Sequence, residues 1–529
     1  MKIMANLSFF GGIGNIGGNC VILEDNGIKI MLDNGMCFSK EGELYKDFLA
    51  ARMGNDLRDF LNLNLVPKIP GIYGKEKLND ECLDEVDPNA HYMLTSDLES
   101  YESFVERTGN PYIEAIILSH IHLDHIRNLI FMPAEIPVIC SQISYEFLKI
   151  ISDITKDDFL NYEYSIKTEL GNKSYFPNAV KKAKRRKSRE FIIAEPYKAF
   201  KIKNMEIIGY PVDHSVPGAM AFRIKTSDDK IVLYTGDIRF HGHEFESKAS
   251  EAFVKEVSSI PIDILITEGT RIDKERGLSE NGVYNMVLKT LNEDNRLNEK
   301  MIFTSFPWKS ISRFLTVLKI SQEIGRILVV HPKLAYVLHH FKDHDSLGVK
   351  DYFKEKSIRI YKPRKSSMLY SNGDYVNAKE CLSFDNKWKR GEDVQPLLYS
   401  AEYGEDIFIN AFNIHENPEK YILHLEFYGL NQLIDIQPPE NSYYFNLKTE
   451  PFDEEGLIEK KVLENWMDKY KLNLNSGIHA SGHASGKEIL DMISKINPKK
   501  IFPIHTEHPE LFTMNNSENK IVLGKKYPL

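Results

Sequence analysis

Short apolar runs bounded by glycines and polar turns recur through the first half of the chain, and they predict strands. Leu7–Phe10, Cys20–Leu23 and Ile28–Leu32 read as a β-hairpin region over residues 7–33, and Ile116–Leu118 as a buried strand. Residues 142–153 carry helical spacing. Glu206–Tyr210, Lys230–Asp237 and Ile262–Glu268 predict three further strands, each delivering a polar group at its C-terminal end. From about residue 272 the texture changes. Helical segments at 281–292 and 308–322 alternate with apolar runs at Met301–Thr304, Arg326–Val330 and Ser357–Tyr361, which predicts a parallel α/β sheet. The end of the chain returns to the first texture, with helices at 456–469 and up to about 496 and a last strand at Lys500–Ile504.

Two stretches interrupt this pattern. Residues 39–110 read as an inserted helical or loop region, and about 155–190 as a second insert. The second ends in a run, 181–189, in which seven of nine residues are basic. Such a run is either a solvated mobile loop or a contact for phosphate backbone.

Composition narrows the class. At 529 residues with 42% hydrophobic and 27% charged positions, the chain can bury a large core in two or more domains. It holds no apolar run long enough for a membrane span and no convincing signal peptide. Five scattered cysteines (20, 37, 82, 140 and 381) lack any Cys-x-x-Cys spacing, which fits a reducing, cytoplasmic setting. A net charge of −9 weighs against a broadly basic nucleic-acid binder but leaves local basic patches open.

The chemistry gathers at the strand ends. After Ile116–Leu118 come His120, His122, Asp124 and His125, four metal-ligand types within six positions. In an extended chain His120 and His122 point the same way and can share one metal, while Asp124 and His125 turn toward a second. Mixed imidazole and carboxylate donors suit zinc, and manganese also fits. His214, Asp237 and Glu268 end later strands, and His505 follows the last. Asp33 closes its strand before Asn-Gly, as a turn former or as a group that fixes a ligand histidine's tautomer. Gly12-x-Gly14-x-x-Gly17 matches a dinucleotide fingerprint, but a strand follows it instead of the required helix. It reads instead as a tight loop passing close to the site. Ser481-Gly-His483-Ala-Ser485 sets a histidine among small residues, leaving room for a ligand.

The series Asp33, His120–His125, His214, Asp237, Glu268, His483 and His505 resembles the motif set of the β-CASP branch of the metallo-β-lactamase fold, nearest to its ribonuclease J-like group. The resemblance implies an α/β fold, an αββα sandwich formed by residues 1–271 and 446–529, with a β-CASP domain inserted at 272–445. It implies two Zn2+: His120, His122 and His214 on one, Asp124, His125 and His505 on the other, with Asp237 bridging. A histidine at the position of His505 marks the RNA-processing members. Glu268-Gly-Thr270 departs from the family's Asp-Ser-Thr, and few residues follow the last motif.

The resemblance implies phosphodiester hydrolysis of single-stranded RNA, exonucleolytic 5′→3′ or endonucleolytic, leaving 5′-phosphate and 3′-hydroxyl ends. His483 is the candidate general acid with Glu268 orienting it, and Ser481 and Ser485 are candidates for holding a substrate phosphate. A homodimer is compatible with the resemblance. The alternatives are a phosphodiesterase for DNA or a small nucleotide, and a non-catalytic scaffold subunit, which would have lost ligands.

Overall fold

The computed structural model describes residues 5–529 except 47, 53, 79–88, 90–97, 174–175, 343, 365–373, 375–402, 450, 452–453 and 515. Two mixed sheets pack face to face. The first has seven strands in the order Lys526–Pro528, Asn6–Gly11, Cys20–Asp25, Ile28–Leu32, Ala115–Ile117, Val138–Cys140 and Phe191–Ile193. The second has six, in the order Lys500–Ile504, Ile264–Glu268, Ile231–Tyr234, Met220–Lys225, Met205–Pro211 and Ala199–Ile202.

Alternation along the strands explains the layering. Leu7, Phe9, Val21, Leu23, Ile30 and Leu32 meet Ile207, Phe222, Val232, Tyr234, Ile266 and Phe502 in one dry core. The residues between them face outward. Ile22, Met31, Ile116 and Val138 pack with Phe147, Leu148 and Ile151 of the helix Gln142–Ile154. Leu233, Leu265 and Ile501 pack with the helices Glu244–Val257 and Gly486–Ile496. The result is the αββα sandwich expected from the motifs.

A separate seven-stranded sheet follows, in the order Phe408–Ile409, Ile358–Tyr361, Ile327–Val330, Tyr421–His424, Ile302–Ser305, Tyr443–Asn446 and Asn473–Asn475, with every adjacent pair parallel. Its central strands Ile302–Ser305, Ile327–Val330 and Tyr421–His424 are rich in apolar residues because both faces are buried, whereas the edge strand Asn473–Asn475 is polar and partly exposed. One face packs on the helices Glu280–Asn292, Ile311–Glu323 and Pro332–His340. The other packs on Ala411–Glu416, Gln432–Ile436 and Glu454–Tyr470. The sheet also corrects a boundary. Tyr443 pairs with Asn473, so the strand Asn473–Asn475 and the helix before it belong to the inserted unit, not to a C-terminal segment starting at 446.

The 155–190 insert is a long antiparallel hairpin, Asn161–Lys173 with Phe176–Ser188. Part of its basic run is used within the chain. Arg186 pairs with Asp158 and Lys187 with Glu135. Arg189 is buried, its guanidinium donating to the carbonyls of Leu129 (3.0 Å), Met132 (2.9 Å) and Pro133 (2.8 Å). Cys82 and Cys381 lie outside the described residues; Cys20, Cys37 and Cys140 are buried free thiols. No helix among the described residues is long and apolar enough to cross a membrane.

Candidate metal centre

Strand ends from both sheets of the sandwich converge on one point. Glu268 ends the strand Ile264–Glu268, which runs parallel to Lys500–Ile504 with Glu268 beside Ile504, so His505 emerges next to Glu268. His505 sits at a positive φ of 51°, and its amide donates to the Gly12 carbonyl (2.7 Å). The Gly12–Gly17 loop therefore lies against the site, as a close-approach loop and not a nucleotide fingerprint. A Cβ on Gly17 would meet the Asp124 Cβ at 2.9 Å, and one on Gly35 would fall 1.7 Å from the Asp124 carbonyl oxygen. Both approaches need glycine.

Three groups of ligand atoms cluster: His120, His122, His214 and Asp237; Asp124, His125, Asp237 and His505; and Asp237, Glu268, His483 and His505. Asp237 belongs to all three. Its Oδ2 lies 3.1 Å from His125 Nε2, 3.6 Å from His120 Nε2 and 3.8 Å from His505 Nε2. His122 Nδ1 lies 3.1 Å from His120 Nε2 and 3.0 Å from His214 Nε2. His505 Nε2 is 3.0 Å from Asp124 Oδ2.

The outer partners fix which ring nitrogen carries a proton. His214 Nδ1 donates to the Gly482 carbonyl (2.5 Å), which leaves Nε2 a bare lone pair. Ser119 Oγ donates to Asp33 Oδ2 (2.6 Å) and so accepts from His120 Nδ1 (3.0 Å), again leaving Nε2 bare. Asp33 Oδ2 accepts from His125 Nδ1 (2.6 Å) and Tyr234 OH (2.5 Å), and its Oδ1 from the Ser119 amide (2.7 Å). His505 Nδ1 pairs with Thr270 Oγ1 (2.8 Å). The bare Nε2 atoms of His120 and His214 thus both face His122 Nδ1, which has at most one proton to offer the two. Asp237 Oδ1 is buried with no hydrogen-bond partner. Converging lone pairs and an orphaned carboxylate oxygen are what a metal cation satisfies, so the donor set fits.

The electrostatics agree. Burial pushes His120 and His214 well below the ordinary imidazole range, and His122 down to about 4. All three are neutral, as ligands must be. Burial opposes charge on Asp237, but His125, His505 and His483 outweigh it and hold that carboxyl well below its usual range. Burial lowers the pKa of His125, but Asp237 and Asp33 on either side raise it well above the ordinary value, the same two carboxylates that would favour a cation at its Nε2 in place of a proton.

His483 stands beside this cluster with its side chain 21% exposed, against 0–1% for His120, His125, His214, His505 and Asp237. Its Nδ1 lies 2.8 Å from Glu268 Oε2, while Glu268 Oε1 accepts from the Ile238 amide (2.8 Å). Burial lowers its pKa, but Glu268 first and Asp237 next raise it to about 9.

The loop before His483 is held by its carbonyls. Ala480 O accepts from Arg313 (3.2 Å), Ser481 O from Arg239 (3.3 Å) and His241 (3.0 Å), and Gly482 O from His214. Arg313 is also bound to Glu280 (3.0 and 3.1 Å), and Arg239 to Asp213 (2.6 Å), all buried.

The two serines differ. Ser481 Oγ accepts from the His483 amide (3.2 Å). Ser485 does not fit the phosphate role expected of it. It is buried, caps the helix Gly486–Ile496, and its hydroxyl and amide both donate to Glu488 Oε2 (2.9 and 2.7 Å). An anion there would face a carboxylate. Ser119, Tyr234, Thr270, His241, Arg239 and Arg313 were not singled out by sequence. Only Ser119 and Thr270 carried a signal, standing inside the two motifs they serve.

Residues 470–514 match the family described as the Zn-dependent metallo-hydrolase RNA specificity domain. The chain is 21% identical over 427 residues to ribonuclease J of Mycoplasma genitalium, spanning 80% of this chain and 62% of that protein, under two thirds of its length. It is 22% identical over 407 residues to ribonuclease J of Pyrococcus abyssi, covering 75% of each. A crystal structure of a protein of unknown function from Enterococcus faecalis shares the fold over 100% of both chains, with a TM-score of 0.68 at 19% identity.

Proposed function

We propose that this ribonuclease J-like chain of the β-CASP metallo-β-lactamase group is a metal-dependent ribonuclease that hydrolyses RNA phosphodiesters to 5′-phosphate and 3′-hydroxyl ends. The single observation that carries this reading is the His483–Glu268 pair standing beside a complete ligand set. His120, His122 and His214 would hold one divalent ion and Asp124, His125 and His505 a second, with Asp237 shared and zinc favoured by the donors. Such a pair supplies a low-pKa water and neutralises charge on the attacked phosphate.

The chain's own residues do the remaining work. Asp33 sets the His125 tautomer, Thr270 holds His505, and the Gly482 carbonyl orients His214. Glu268, anchored by the Ile238 amide, accepts a hydrogen bond from His483 Nδ1–H, which stabilises the imidazolium with its second proton on Nε2. His483 would pass that Nε2 proton to the departing 3′-oxygen, a step worth roughly 10²–10⁴ in rate. The relatives' name, ribonuclease J, and the RNA-specificity family match support RNA as the polymer. Ser481, beside His483, is the serine left to contact a terminal phosphate and favour 5′→3′ action.

The test is a single-stranded RNA bearing a 5′-monophosphate or 5′-triphosphate, labelled at each end, with a matched DNA and a His122→Ala variant. Cleavage of RNA that disappears in the variant is expected. Mononucleotides from the monophosphate substrate alone would mark the exonuclease, and internal cuts the endonuclease. No RNA cleavage by metal-loaded protein would overturn the reading.

A further inference from the structure

Residues 161–188, the span of the antiparallel hairpin, hold eight basic and two acidic residues in a chain of net charge −9. Each strand has 13 residues, so the ribbon extends about 40 Å at the rise of an extended chain.

The root of the ribbon is firmly mounted. Tyr162 is buried against the other insert. Its hydroxyl donates to Glu76 Oε2 (3.3 Å), Lys77 Nζ lies 5.9 Å from its ring centre, and a Cβ on Gly74 would fall 2.0 Å from that hydroxyl. Arg189, just past the second strand, fastens the root to the carbonyls of Leu129, Met132 and Pro133. Those carbonyls belong to the segment that follows His125. The two inserts therefore share one mount beside the metal-ligand motif, outside both sheets of the sandwich.

The basic run divides along the ribbon. At the root its charge is used within the chain: Arg186 pairs with Asp158 and approaches Glu163 (3.8 Å), and Lys187 pairs with Glu135. One step further out, Lys184 and Arg185 are exposed and have no ion pair among the described residues. Lys184 stands opposite Ser165 and Arg185 opposite Tyr164. Successive strand residues point to opposite faces, so the ribbon presents one of these cations on each face. Tyr162 and Tyr164 stack on each other at the root (5.3 Å, 27°). Among the described residues of the hairpin no other ring stands beside the two cations. Proteins that hold single strands set stacking rings among their cations. Cations without rings suit the phosphate rows of a duplex, which is recognised by shape and backbone.

We propose that the outer part of this hairpin is an arm for the phosphate backbone of double-stranded RNA, with Lys184 and Arg185 meeting phosphates on the two faces of the ribbon. It rests on the ribonuclease reading and adds a class of substrate to it: folded RNA, gripped by a stem outside the cleavage site.

The probes are a stem–loop RNA with a 5′-monophosphorylated single-stranded tail, the tail alone, and bis(4-nitrophenyl) phosphate. The metal-loaded parent is compared with the double variant Lys184→Gln/Arg185→Gln and with Lys184→Arg/Arg185→Lys, which keeps both charges. For the glutamine variant, KM on the tailed stem should rise about tenfold, and the log–log salt dependence of kcat/KM should flatten by about 1.8, two phosphates' worth. The tail alone and the small ester should be turned over as by the parent, which also shows that the variant is folded. The charge-keeping variant should match the parent throughout. Equal losses on the tail and the tailed stem, or an unchanged KM and salt slope on the tailed stem, would overturn the arm and leave the ribonuclease standing. A parent dimer in sedimentation that the glutamine variant dissolves, with RNA kinetics unchanged, would give the cations to a second copy and also overturn the arm. Turnover of the ester with neither RNA cleaved would remove the ribonuclease reading. A labelled blunt stem–loop then decides the arm by fluorescence anisotropy: tighter binding by the parent than by the glutamine variant keeps it, and equal binding removes it.

Discussion

Arg313, on a helix of the inserted unit, donates to the carbonyl of Ala480, three residues before His483 in the sandwich. The same guanidinium is locked to Glu280 and reaches the Leu447 carbonyl. The inserted unit therefore holds the loop that carries the candidate general acid. Replacing Arg313 with Met leaves the buried Glu280 with only Thr316 and a 3.8 Å approach of Arg239, at a cost of about 3–5 kcal/mol. Arg313→Lys keeps the charge but cannot serve Glu280 and two carbonyls in one plane. We expect Arg313→Lys to lower kcat with bound metal unchanged, read from steady-state kinetics and elemental analysis. An unaltered kcat in a folded Arg313→Lys protein would show that the loop does not depend on this clamp.

Asp33 is buried and accepts from His125, Ser119 and Tyr234. Asp33→Asn keeps the volume and loses the charge that sets the His125 ring. Metal affinity should fall about 10–100-fold, measured by competition with a chromogenic chelator. Affinity equal to the parent's would mean that the ring is held by packing alone.

Gly35 tests whether the two halves of the ligand cluster are separable. A Cβ there would sit 1.7 Å from the Asp124 carbonyl oxygen and 2.3 Å from the His125 amide nitrogen. Gly35→Ala should displace Asp124 and His125 and spare His120, His122 and His214. Metal content should drop toward half of the parent value; full content in the variant would contradict this layout.

Three histidines outside the cluster set a pH response. Burial lowers His479 to about 4 and pushes His331 and His424 below the ordinary value. Between about 6.5 and 4 the unfolded chain binds protons that the folded chain refuses, so stability falls as pH falls through that window. His479 alone would contribute a few kcal/mol of that slope. Chemical denaturation at stepped pH should show the loss, and His479→Gln should make it shallower. A flat profile from 6.5 to 4 would refute it.

Much of this was legible in sequence because the chemistry sits at strand ends. Ile116–Leu118 before His120–His125, and Lys500–Ile504 before His505, announce both a strand and what it delivers. The inserted parallel sheet follows from the change of texture near residue 272, and the sandwich from the motif resemblance. Other features were not legible. Ser485 looks like a phosphate-binding serine, but Glu488 three residues on makes it a helix cap, since the local capping box wins. The 446 boundary failed because a parallel strand's neighbour is chosen by a crossover, which leaves no local mark at Asn473. Arg239 and Arg313 were invisible because a buried arginine is recognised only by the carbonyls it meets, which come from residues far along the chain.

The central claim is that metal held by the His120–His505 cluster drives RNA cleavage. The most direct measurement is cleavage of a labelled single-stranded RNA by protein as purified, after chelator stripping, and after titration with Zn2+ or Mn2+. Activity should vanish on stripping and return with the metal, saturating at about two ions per chain. Cleavage that survives verified metal removal, or fully loaded protein that leaves RNA intact, would contradict it.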